Sequence, residues 1–186
     1  MGDVTTPQPR AWRFLDPAVD PREGGPLVGD ERTTLTEFLR TQRLTLQLKC
    51  DGLDPQQLAR RAVEPSTMSL LGLVRHMAEV ERSWFRRRFA GEDIPHRYQT
   101  DAEPDGDFDG AVADQAVVDE AWAAWREEVA FAEQFTRDTD FDFVGMTSDG
   151  QPISLRMMLV HMVEEYARHN GHADLLRERI DGRLGE

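Results

Sequence analysis

The segment His161-Met162-Val163-Glu164-Glu165-Tyr166-Ala167-Arg168-His169-Asn170-Gly171-His172 decides the fold, because it carries three of the five histidines on an apolar helical period. At about 100° per residue, Leu155, Met162, Tyr166, Ala173, Leu176 and Ile180 fall on one side of a single long helix. Ser154 is a natural N-cap for it, the period runs to about Ile180, and Gly182 closes it. On the same arithmetic His169 lies roughly 20–30° from the mean direction of the stripe and Glu165 roughly 60–70°. His161 and His172 lie roughly 80–110° away. Glu165 and His169 are therefore the pair aimed most nearly inward. Their i,i+4 spacing makes the side chains neighbours, about 5–6 Å apart at Cβ.

Three more helical periods precede this one. A first helix is predicted from near Asp30 to about Lys49, with Leu35, Phe38, Leu39 and Leu46 inward and Gly52 past its end. Asp54-Pro55-Gln56-Gln57-Leu58 reads as a capped single turn. A second helix is predicted from about Met68 to Ala90, with a seam of Leu70, Leu73, Met77, Val80 and Trp84. A third spans about Asp114 to Arg137, burying Val118, Ala121, Trp122, Trp125, Val129, Ala132 and Phe135. Ser148 to Pro152 is a tight turn, and no stretch alternates well enough to predict a strand. The expectation is all-α: a four-helix bundle of antiparallel type with at least one long crossover, over residues 30–182. Residues 1–29, rich in Pro and Gly, are predicted to form an extended arm in which Trp12, Phe14 and Leu15 pack. The acidic loop 91–113 is long enough to be functional or mobile.

Composition narrows the partners. With 22 Lys+Arg against 35 Asp+Glu, the net charge of -13 repels phosphates, so neither nucleic acid nor an anionic membrane surface is an expected partner. No apolar run approaches the ~20 residues of a membrane span. The first residues show no basic region followed by an apolar core, and a cytoplasmic location is the expectation. The single cysteine, Cys50, excludes an internal disulfide and a cysteine-only zinc cage, and reads as a small buried hydrophobe. A homodimer is compatible with this composition.

The chemistry lies with the histidines. A buried Glu is costly unless it is paired or bound to a cation, and an imidazole one turn away can share that cation. His76, on the edge of the second helix's stripe between Leu73 and Val80, is the obvious third donor. The same spacing also fits a hydrogen-bonded core histidine and an ion pair of Glu165 with Arg168 or Arg75. His96, after Pro95, reads as a surface residue, and Arg86-Arg87-Arg88 as a solvated face. Trp84, Trp122 and Trp125 read as core, as does Tyr166, with Arg168 at the surface.

The sequence resembles the DinB-like superfamily of four-helix metalloproteins, and most closely its actinobacterial branch related to mycothiol-dependent enzymes. The likeness covers roughly residues 28–182 and rests on Lys49 to Leu53, on Leu73 to Glu81 with Trp84-Phe85, and above all on Val160 to Asp174. The superfamily's ligands are a His on the second helix and an H-x-x-x-H pair on the fourth. Here Glu165 takes the first place of that pair and His169 the second. The mycothiol-dependent maleylpyruvate isomerase of this superfamily uses a His, Glu, His set, and His76, Glu165 and His169 match it position by position.

The resemblance therefore implies a divalent metal on these three residues, zinc first, with nickel, iron or manganese also suited to the donor set. It further implies a thiol S-transferase. A small thiol such as mycothiol would occupy the open position as nucleophile toward an electrophile held near the 91–113 loop. His161 and His172 are the candidates for proton transfer. A metallohydrolase using water, and a non-enzymatic ligand-binding bundle, are the alternatives.

Overall fold

The computed structural model describes residues 14–185, and these are mostly helical. The helices are α1 (Glu31–Cys50), α2 (Pro55–Leu58), α3 (Leu70–Glu81), α4 (Gly106–Asp109), α5 (Gln115–Asp138) and α6 (Leu155–Asp181). Two short strands, β1 (Val144–Met146) and β2 (Pro152–Ser154), pair antiparallel with Gly145 opposite Ile153. This hairpin corrects the expectation of no strand. Three-residue strands are too short to show alternation in a sequence.

Side-chain caps set the helix ends. Asp30, Ser69 and Ser154 each accept a hydrogen bond from the backbone N–H three residues on, and Asp114 accepts from the second. Asp54 and Gln57 form a reciprocal capping box around Pro55 in α2. Gly182, at φ 77°, ends α6 in the left-handed region where a Cβ would be strained.

The second long helix is not uniform, as the sequence led us to expect. It starts at Leu70, and from Arg82 to Phe89 it winds as a π-helix before Gly91 stops it. Each π turn takes one more residue than an α turn, so side chains beyond Glu81 point in directions that a 3.6 period does not foresee. Trp84 is partly buried and packs against the edge of the core, and Arg86 turns inward to Glu128, which is 1% exposed. The expectation of a solvated Arg86-Arg87-Arg88 face is thus corrected: Arg86 Nε lies 2.6 Å from the Glu128 carboxylate, Arg87 meets the His96 ring, and Arg88 donates to Ser83 Oγ at 2.7 Å.

Cross-helix contacts give the chain directions. Glu31 meets Arg156, Gln42 meets Asn170 and Lys49 meets Asp174, so α1 and α6 run parallel. Arg75 faces Glu120 and Arg82 faces Glu128, so α3 and α5 also run parallel. His76 meets His169, Glu81 meets Tyr166 and Trp84 meets His161, so α3 and α6 are antiparallel. The expected antiparallel type is therefore replaced by two parallel pairs set against each other. The 91–113 connection is what lets α5 run with α3.

These helices share one core that includes Leu46, Met77, Trp125, Met158 and Tyr166. Phe38, expected inward, is 58% exposed. Through this core runs a polar chain. Arg43 donates twice to the Glu81 carboxylate at 2.8 Å, the Tyr166 hydroxyl donates to Glu81 at 2.8 Å, and Trp125 Nε1 donates to that hydroxyl at 2.9 Å. Burial disfavours the Arg43 cation, but the neighbouring Glu81 carboxylate outweighs it and keeps the guanidinium charged. Burial, and then Glu81, raise the Tyr166 phenol well above its ordinary value, so it stays a donor.

Trp12 and the rest of residues 1–13 lie outside the described residues. Phe14 is buried, with Arg183 Cζ 3.7 Å and Lys49 Nζ 4.4 Å from its ring centre. Among the described residues no helix is long and apolar enough to cross a membrane.

Candidate metal centre

The antiparallel seam of α3 and α6 brings His76 level with Glu165 and His169. One ligating atom of each lies within 4.8 Å of the others, and all three side chains are partly buried. The His76 and His169 rings meet edge to face at 4.7 Å between centres. His169 Nε2 lies 3.6 Å from Glu165 Oε2. At such separations the atoms face a common point, with no short hydrogen bond between them to satisfy the carboxylate. Neither of the competing ion pairs forms at Glu165. Arg75 donates to the Asp107 and Gly106 carbonyls, and Arg168 pairs with Glu164.

The electrostatics favour a neutral imidazole at His169. Burial first, and then the adjacent His76 and His172, push His169 down to about 4. Its ring is therefore unprotonated at neutral pH, as a metal ligand must be. Two imidazoles and one carboxylate that converge from two helices fit a divalent cation with a coordination position left open.

Sequence reasoning missed the group that orients His76. Asp107, 1% exposed, brings Oδ2 to 2.7 Å from His76 Nδ1 and also accepts from Gln99 Nε2 at 3.2 Å. Burial works to raise the Asp107 carboxyl, but the hydrogen bond from His76, with backbone N–H groups behind it, holds it below the usual range. An ionised Asp107 keeps the Nδ1 proton on His76 and leaves Nε2 as the free lone pair. Phe108, the next residue, stacks on the His76 ring at 4.9 Å. The sequence offers only a weak signal, Phe108 beside Asp107 between Gly106 and Gly110.

The 91–113 connection is thus pinned to α3 at several points. Buried Glu79 accepts from the backbone N–H of Arg97 and of Tyr98 at 2.7 and 2.9 Å. Its other oxygen lies 2.7 Å from His96 Nδ1, so His96, whose side chain stays 35% exposed at the surface, is tethered to the helix. Phe108 thus covers one face of the His76 ring, whose side chain stays 20% exposed.

The two remaining candidates lie along α6. His161 Nε2 is 3.5 Å from Glu165 Oε1, and its ring meets Trp84 at 4.9 Å. His172 Nδ1 is 3.4 Å from His169 Nδ1. Cys50 is buried at the end of α1, and burial pushes its thiol up to about 12, so it has the inert character expected.

The mostly helical core agrees with membership of the DinB-like superfamily. Within that superfamily the family model for Mycothiol-S-transferase matches residues 34–182, and the chain belongs to that family. No curated protein matches it.

Proposed function

We propose that the protein is a divalent-metal-dependent thiol S-transferase that joins a small thiol, mycothiol first, to an electrophile. The convergence of His76, Glu165 and His169 in a chain of this family carries the reading. The three side chains would hold the cation, with zinc the first ion to test. Bound there, it would supply the Lewis acidity that lowers a thiol pKa toward neutrality.

The chain's own residues do the rest. Asp107 fixes the His76 tautomer and ring plane through the 2.7 Å contact at Nδ1. Glu165 offers one oxygen to the cluster and turns the other toward His161 Nε2. His161, on the open side of Glu165, accepts the proton that the thiol loses and holds it at an imidazole nitrogen. His172 orients the His169 ring from its far edge. Phe108 shields one face of the His76 ring from water. Cys50 is buried and protonated, so the nucleophile must come from outside the chain.

The test assays thiol conjugation of reactive electrophiles with mycothiol and with other small thiols, using metal-loaded and metal-stripped protein. Metal-dependent consumption of mycothiol is the expected result. Full turnover of an ester or amide with no thiol present would move the assignment to a hydrolase.

A further inference from the structure

Asp107 can orient His76 only if the short α4 segment that carries it is itself held, and the group that holds it is the neighbour of that histidine. Arg75 is buried and reaches from α3 to α4. Its Nε donates to the Asp107 carbonyl at 2.8 Å, and its Nη2 donates to the Gly106 carbonyl at 2.9 Å. Those two carbonyls belong to the peptide units on either side of the Asp107 Cα, so one planar guanidinium fixes both. Its nearest carboxylate, on Glu120, stands 3.9 Å away, beyond hydrogen-bond reach. The charge of this buried arginine is thus spent on the main chain around Asp107, through hydrogen bonds of the stronger, charge-assisted kind.

The guanidinium is in turn kept in place. Its Cζ stands 3.9 Å from the centre of the Tyr98 ring. The Tyr98 backbone N–H donates to buried Glu79 and its hydroxyl donates to Glu120, each at 2.9 Å, so that ring is tied at both ends. Two glycines leave the room that the arrangement needs. A Cβ on Gly110 would collide with Arg75 Nη2, although the Gly110 φ of -78° suits any residue. A Cβ on Gly72, four residues before His76, would lie 3.0 Å from the Phe108 ring that stacks on the histidine.

We infer that Arg75 is a positioning residue for the candidate metal centre. It holds the two peptide units around Asp107, Asp107 holds His76 at Nδ1, and Gly110 preserves the space that Arg75 occupies. The inference rests on the metal-dependent reading for its effect on ion binding but not for its geometry, and two experiments separate them.

The first uses metal-free, full-length protein with isotope-labelled histidine at mildly alkaline pH. Long-range proton–nitrogen correlation spectra report which His76 nitrogen carries the proton, with His76→Gln giving the assignment. The wild type is expected to show the Nδ1–H tautomer alone. Arg75→Met and Gly110→Ala are each expected to admit the Nε2–H tautomer. Arg61→Met removes an exposed ion pair to Asp109 of the same α4 and is expected to leave the wild-type pattern. Gly110→Ala keeps the guanidinium and only displaces it, so it carries the test even if Arg75→Met fails to fold.

The second measures zinc affinity by competition with a chelator. Arg75→Met is expected to weaken it about tenfold, as loss of an outer partner of a ligand does. In an Asp107→Ala background the same change is expected to cost nothing further, because no carboxylate is left to position. A wild-type tautomer pattern in both Arg75→Met and Gly110→Ala, an equal disturbance in Arg61→Met, or additive losses of zinc affinity overturn the inference. The expected tautomer shifts in a protein whose wild type binds no zinc overturn the metal reading and leave the Arg75 clamp in place.

Discussion

His76 and Asp107 stand 2.7 Å apart, Nδ1 to Oδ2, and the contact joins α3 to a connection that would otherwise only cross over it. The carboxylate is buried, ionised and part of a hydrogen-bonded group that includes Gln99, so it fixes which His76 nitrogen faces Glu165 and His169.

Replacing Asp107 by Asn should lower zinc affinity about 10- to 100-fold while leaving all three ligating side chains in place. Competition titration against a chromophoric chelator measures it. Unaltered affinity would show that His76 needs no help from the crossover.

Glu165→Gln should cost far more metal affinity than His161→Ala, about a hundredfold or more against less than about tenfold. The amide removes the anionic donor from the cluster, whereas His161 only borders it at 3.5 Å. Equal losses would mean that the ligand set is wrong.

The metal-free protein should lose stability as pH falls from about 6.5 toward about 4. His169 titrates near 4 in the folded chain against an ordinary 6.5, so in that interval the unfolded state takes up a proton that the native state refuses. The loss should be roughly 2 kcal/mol, allowing for the solvent that still reaches the ring. Urea melts at several pH values, with His169→Gln as control, check it; a flat profile in the wild type contradicts it.

Cys50 should resist alkylation in the folded protein. With its thiol pushed up to about 12, the thiolate fraction at pH 8 is on the order of 1 in 10,000. Iodoacetamide labelling should be about a thousandfold slower than in urea, where a thiol near 9 is about one-tenth thiolate at that pH. Fast native labelling, with loss of activity, would make Cys50 a nucleophile after all.

Glu81→Ala should be among the most damaging single changes, at about 3–5 kcal/mol, because it strands the Arg43 cation and the Tyr166 hydroxyl in the core. Thermal unfolding of the metal-free variant measures this. A Tm within a few degrees of wild type would contradict it.

Much of this architecture is written in local signals. Asp30, Asp114 and Ser154 announce helix starts because a short polar side chain at that position answers an orphan N–H, whatever the tertiary context. The inward direction of His169 and Glu165 follows from the 3.6 period of α6 alone, and the structure brings both to His76. Helix direction is another matter. A stripe such as Leu73, Met77, Val80 looks the same whether its partner runs parallel or antiparallel, so the parallel α3–α5 pair was not legible. Nor was the π-helix, since nothing in Arg82 to Phe89 distinguishes i→i+5 bonding until Glu128 is in place to receive Arg82 and Arg86. Asp107 escaped because a loop carboxylate has no period, and its partner lies a whole helix away.

The order in which the cluster's parts occur along the chain sets when it can come into being. His76 leaves the ribosome early, its orienting Asp107 follows, and Glu165 and His169 arrive only with the final helix. Synthesis at about 5–20 residues per second therefore leaves a lone histidine–carboxylate pair for some seconds before the other donors exist. The last helix must close a long chain segment before it docks, an entropy cost of a few kcal/mol that its apolar stripe has to outweigh. Under the proposed ligand set the cation would thus wait for α6, because a nascent chain stalled before residue 165 holds only one of the three donors.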